Sequence, residues 1–165
     1  DNSFSAYLFN SSLIVLAVSY GLFYFMFLKI QFRISEKYLI KIALIITIGL
    51  SLLSFILIAI FPSEGPTFNL HIFFVKAAFR LLLIHCLIQV YNLFQNSVFG
   101  SSIKIISVIF STALFIFILV MEFGPNPFES NRSLLIQVTA QKLVVFSIII
   151  YFYFQVREAL KVRNY

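Results

Sequence analysis

Lys76, Arg80, His71, His85 and Gln89 are the residues of this chain best suited to chemistry, and all five fall in one apolar stretch, residues 70–92, long enough to span a bilayer. Charge placed in hydrocarbon is costly and marks either a protein-lined site or a contact with another chain. At about 100° per residue, Lys76 and Arg80 share a face one turn apart, whereas His71, His85, Gln89 and Asn92 gather on roughly the opposite face. The segment therefore carries two polar stripes, at least one of which must meet protein, water or headgroups. With a rise of about 1.5 Å per residue, Lys76 lies about 9 Å and Arg80 about 15 Å into the span. Lys76 is within snorkelling reach of the interface, but Arg80 calls for a partner.

A third cation, Lys142, enters the last apolar stretch from the same side, with Gln137 and Gln141 on an adjacent stripe and Glu122 as a candidate counter-charge. One reading of these residues is a positively charged membrane pocket for a lipid phosphate, a carboxylate or a quinone headgroup. The plainer reading is internal pairing and snorkelling without a ligand, or a contact with another subunit.

His71 and His85 share a face, fourteen residues apart, near opposite ends of their span. This spacing resembles that of the haem-binding helices of cytochrome b, and the resemblance implies axial ligation of two stacked b-type haems. Each haem needs a second ligand, and the chain has only 2 histidines. Haem b or a quinone is therefore expected only with a partner subunit. Otherwise His71 reads as an interfacial residue at a helix start and His85 as a hydrogen-bonded packing residue. Bound phospholipid is the expected small-molecule companion.

Other chemistry is thin. No Asp follows Asp1, and no glutamate sits deep in a span, so neither a carboxylate pair nor a carboxylate proton path is expected. Cys86 is the only cysteine, which excludes an internal disulfide and a multi-cysteine metal site. Thr47, Ser51 and Ser54 form one hydroxyl stripe and Ser107 and Ser111 another; such groups commonly satisfy local carbonyls. No phosphate loop or metal motif occurs, and no catalytic residues are assigned. Two glycosylation sequons begin at Asn10 and Asn131.

The elements that hold these residues follow from composition. The chain has 165 residues, 61% of them hydrophobic and 11% charged, and its mean hydropathy is +1.02. A soluble domain is nearer half apolar and about a quarter charged. The apolar residues form five runs, about 8–28, 38–61, 70–92, 103–121 and 134–154. These are too long and too uniformly apolar for barrel strands, which need about ten residues of alternating polarity. The fold expected is all-α: a polytopic membrane bundle of five transmembrane helices in a single domain over 1–165. Pro62 closes the second run, Pro66 and Asn69 make a short turn, and Gly124-Pro125-Asn126-Pro127 breaks the chain before the fifth. Ser101 or Ser102 is a potential cap for the fourth helix, and Ser130 or Asn131 for the fifth.

Charge sets the expected orientation. Lys29, Arg33, Lys37, Lys41, Lys104, Arg157, Lys161 and Arg163 fall on one side, against Glu36. Glu64, Glu122, Glu129 and Arg132 fall on the other. The positive-inside rule then puts the N terminus outside and the C terminus inside. The net charge of +6 reflects this flanking pattern, so membrane lipids and other membrane subunits are the expected partners and nucleic acid is not. The first residues lack the basic start of a signal peptide. With no G-x-x-x-G pair and 22 Phe, the helices must pack by large side chains or present them to lipid or a partner.

Small size, short connections and charged positions that need cover favour a non-catalytic membrane subunit of a larger energy-transducing, secretion or transport complex. A bacterial inner membrane or an organellar inner membrane is the expected location. In size and span count alone the chain resembles the five-helix hydrophobic subunits of respiratory complex I. One alternative is a sensor or receptor-like domain that binds a lipophilic or anionic ligand and signals through its basic tail. The other is a transporter or channel component.

Overall fold

The computed structural model describes residues 3–34, 37–61, 65–126 and 129–162; Asp1, Glu36, Pro62, Glu64, Pro127 and Arg163 lie outside this set. Five α-helices follow one another: α1 (Ser3–Ile34), α2 (Tyr38–Ile60), α3 (Phe68–Gln95), α4 (Ser101–Phe123) and α5 (Asn131–Val162). All five are long and apolar enough to cross a membrane. Several outrun the apolar runs that announce them, α1 and α5 reaching 32 residues each, or about 48 Å against about 30 Å of hydrocarbon. The reason is local: residues 29–34 and 155–162 contain no glycine or proline, so the backbone ladder continues past the end of the apolar run. Asn69, expected in a turn, is inside α3, because the turn is made earlier by a single 3-10 turn at Gly65–Thr67. Gly65 has a φ of 71°, a left-handed conformation that a side chain disfavours.

The chain divides into two compact units, Asp1–His85 and Cys86–Tyr165. In the first unit α1 packs along α2, and the first part of α3 completes it. On α1 the inward positions are Ala17, Tyr24, Leu28 and Gln31, and on α2 Leu44, Ile48, Ser51 and Ile58. Their gaps of three, four and seven residues fit a repeat of about three and a half, which keeps one seam facing a near-parallel neighbour. Two clasps close the connections. At one end the Lys41 ammonium donates to the Phe32 carbonyl at 2.9 Å and lies over the Phe32 ring, placing a cation at the carbonyl end of α1. At the other, His71 Nδ1–H donates to the Phe61 carbonyl at 2.7 Å, while Phe61 and Phe74 stack with centroids 5.5 Å apart.

The second unit consists of the rest of α3 with α4 packed on α5. Its seam runs through Ile103, Ser107, Phe110, Leu114 and Phe117 of α4, again spaced by four and three. Val144, Tyr151, Gln155 and Glu158 of α5 are the buried counterparts, and Phe110 stacks on Tyr151 at 4.7 Å. α4 starts at Ser101, but its cap is Gly100 without a side-chain bond, so neither Ser101 nor Ser102 serves that role. Instead the Gly100 N–H donates to Glu158 Oε1 at 2.5 Å, bringing a carboxylate to the positive end of α4. Ser130 does cap α5, its hydroxyl accepting the Ser133 N–H at 3.1 Å. α4 ends because Gly124 turns to extended backbone, where a Cβ would collide with the Val120 carbonyl.

Glu158 is only 3% exposed, and Lys161 approaches it at 3.8 Å from the more exposed side. Replacing it strands the Gly100 N–H, whereas its neighbour Arg157 is exposed. Glu158→Ala is therefore expected to destabilise the protein by about 1–3 kcal/mol, and Arg157→Ala by less than about 0.5 kcal/mol. Thermal unfolding in detergent, followed by helical circular dichroism, checks the contrast.

Candidate functional site

The two stripes of α3 have different fates. Gln89 and Asn92 are fully buried and His85 is 2% exposed, so the uncharged stripe turns inward. Lys76 is half-buried and Arg80 is exposed, so the cationic stripe turns outward. Uncharged groups can be satisfied by one or two hydrogen bonds inside a helix pack, whereas a buried guanidinium needs a counter-charge and five acceptors.

His85 is the centre of the inward stripe in the first unit. The Thr47 hydroxyl donates to the Ala43 carbonyl at 2.7 Å, which leaves its oxygen as the acceptor for His85 Nδ1–H at 3.1 Å. His85 Nε2 then accepts the Tyr24 hydroxyl proton at 2.6 Å. The chain of bonds runs one way, from α1 through α3 to α2, and assigns a neutral imidazole with its proton on Nδ1. Tyr24, 1% exposed, meets the imidazole edge to face at 4.8 Å. Ser51 adds a second link from α2 to α3 by donating to the Ala78 carbonyl at 3.0 Å. Both ring nitrogens of His85 are thus taken by hydroxyls, and none is left to face an iron atom. His71, whose Nδ1 holds the Phe61 carbonyl, closes a turn. The haem reading finds no support in this geometry.

The other hydroxyls behave as the sequence leads one to expect. Ser54 donates to the Leu50 carbonyl, Ser107 to Ile103 and Ser111 to Ser107, all within 2.6–2.8 Å and all one turn back. Cys86 is a buried free thiol. Among the described residues no three His, Cys, Asp or Glu side chains gather in a way that could hold a metal ion.

The remaining site candidates lie in the second unit. Lys142 and Gln141 are exposed on α5, Gln137 is half-buried one turn earlier, and Glu122 is half-buried at the penultimate position of α4. Arg80 and Lys76 belong to the first unit.

Sequence reasoning passed over Glu158, Gln31 and Gln155, the last two fully buried. A signal was present: Tyr151, Gln155 and Glu158 continue one face of α5 at spacings of four and three, so three polar groups in register mark that face as packed. No protein-family model, curated protein or solved structure matches the chain.

The bonds of His85 act as a unit, so removing one end exposes the other. Tyr24→Phe and His85→Leu are each expected to cost about 1–3 kcal/mol, and the double variant to cost less than their sum by about 1 kcal/mol or more. A double-mutant cycle on detergent unfolding reads the coupling. Additivity within about 0.3 kcal/mol would show that the two side chains do not interact.

Proposed function

We propose that the chain is a non-catalytic integral membrane subunit of a larger energy-transducing, secretion or transport complex, held in a bacterial or organellar inner membrane with its N terminus outside and its basic tail inside. The observation that carries this reading is the outward placement of a cation within a candidate span: Arg80, at the middle of α3, is exposed while His85, Gln89 and Asn92 of the same helix are buried. A subunit whose charged face points away from its own pack is built to be covered. α5 supports the same reading, since Phe146 is 63% and Ile149 61% exposed on the helix that also presents Gln141 and Lys142. Membrane lipid occupies whatever part of these faces a partner leaves open.

A second reading rests on the end of α5. The helix exceeds the hydrocarbon thickness by about 18 Å, and its last turns carry Glu158, which is bonded to the start of α4. A sensor domain needs such a helix to pass a displacement from the membrane into an attached module.

The two readings separate in native membranes. After gentle solubilisation, a subunit migrates in an assembly well above its own 19.0 kDa, with fixed companions that co-purify at constant ratio. Migration as a lone chain in its micelle, with full biological function retained, would contradict the subunit reading.

A further inference from the structure

We infer that the exposed face of α5 near its Asn131 end binds an anionic phospholipid, with Arg132 and Lys142 on the phosphate and the apolar turns that follow under the acyl chains. Such a site requires only that α5 span a membrane, so it goes beyond the subunit reading and can hold without it.

α5 lies whole within one compact unit. Arg132, Thr139 and Lys142 share a face, at spacings of seven and three, and all three are exposed. Gln141 is exposed next to Lys142, and Gln137 is half-buried one turn before Gln141. Among the described residues, none takes a hydrogen bond or an ion pair with the side chains of these five. Hydroxyls elsewhere in the apolar helices bond within their own helix: exposed Thr112 of α4 donates to the Val108 carbonyl at 2.9 Å, and Ser147 of α5 to Val144 at 2.7 Å. Over about three turns α5 thus presents two cations, two amides and a hydroxyl, all able to donate to phosphate oxygens. Glu129, exposed three residues before Arg132, pairs with neither cation.

Depth selects a phosphate as the occupant. Arg157 is the next cation on α5, also exposed, fifteen residues after Lys142 or about 22 Å along the axis. With Arg157 at one boundary of about 30 Å of hydrocarbon, the Lys142 backbone lies about 8 Å inside the other. Side chains lean toward the start of their helix and an extended lysine reaches roughly 6 Å, so the ammonium arrives at the headgroups. Arg132, about 15 Å nearer the start of α5, then stands among those headgroups, and a phosphate fits between the two cations. Beyond Lys142 the face continues through Phe146, Ile149 and Tyr153, exposed and spaced four, three and four, as a bed for acyl chains. A choline headgroup would bring a third cation beside Arg132, so the site favours a lipid whose phosphate charge is uncompensated. A second copy packed on this face in the same orientation would set Lys142 against Lys142.

The chain has no tryptophan, so Phe146→Trp supplies a single reporter on this face. The full chain carrying it is reconstituted in phosphatidylcholine vesicles. Quenching by acyl-brominated phosphatidylglycerol is then compared with quenching by acyl-brominated phosphatidylcholine. The glycerol lipid is expected to surround the reporter with a preference of about fivefold or more. Lys142→Arg should keep the preference, and Arg132→Gln with Lys142→Gln should abolish it. Arg132→Glu with Lys142→Glu should reverse it, a result that misfolding does not produce. Equal quenching by the two lipids, or a preference that survives the double glutamine variant, overturns the assignment. Quenching by neither lipid overturns it in favour of a second copy, and relief of quenching by inorganic phosphate in favour of a free anion. Displacement of the brominated lipid by a polyleucine helix with a central aspartate overturns it in favour of a protein partner. Fixed companions in native membranes together with equal quenching leave the subunit reading standing and this site disproved. A preference for phosphatidylglycerol in a chain that migrates alone does the reverse.

Discussion

The inside of an apolar helix pack supplies no water to bond a polar group, and the arrangement of each unit follows from that constraint. In the first unit the constraint is met at His85, whose imidazole is bonded on one side to Tyr24 of α1 and on the other to Thr47 of α2. A one-residue slip of any of the three helices would strand a buried donor or acceptor. Leu and Phe knobs alone tolerate several registers, so a directional chain of bonds through three helices gives a pack of apolar surfaces a single alignment. In the second unit Glu158 and Gly100 play the corresponding part near the start of α4, tying the late turns of α5 to the turn that precedes α4.

The same constraint sorts the polar residues by charge. Buried hydroxyls are satisfied by carbonyls, one turn back for Ser107 and Ser111 and across the seam for Ser51. Intramembrane cations are kept outward: Arg80 and Lys142 are exposed, and Lys76 is half-buried. Near the helix ends cations find other uses, Lys41 at the carbonyl end of α1 and Lys29 over the ring of Phe25, 4.7 Å from its centroid. Glu158, the buried carboxyl among the described residues, lies beyond the apolar run of its helix and beside Lys161. The outcome is a set of outer helix faces that are apolar except at a few charged points.

Helix number and type could be read from the sequence because length and hydropathy alone decide them. Helix ends were less legible: α1 and α5 outran their apolar runs, since nothing in residues 29–34 or 155–162 stops a helix where the hydrocarbon stops. The inward faces were harder still. A membrane helix is apolar all round, so the usual contrast between wet and dry faces is missing, and Ile48, which is buried, reads like Ile45 and Ile46, which are exposed. What marked the packed faces was polarity: Ser51, Ser107, His85, Gln89 and Asn92 all point inward. Arg80 was read as a contact needing a partner, but its exposure on the chain's own surface was not foreseeable, because spacing shows which residues share a face and not which neighbour that face meets. Glu158 was missed because the tail was read for its basic residues, Arg157, Lys161 and Arg163, and not for the face that Tyr151 and Gln155 continue.

The most direct measurement of the account is a spin-label scan along residues 78–91 of α3 in a Cys86→Ser background, reading oxygen accessibility in the isolated protein and in native membranes. For the isolated protein the account predicts maxima at 80, 84, 87 and 91 and minima at 78, 82, 85 and 89. In native membranes the maxima at 84 and 87 fall as the partner covers that face, while the minima stay. A minimum at 80 in the isolated protein, or maxima at 84 and 87 that are unchanged in native membranes, would contradict it.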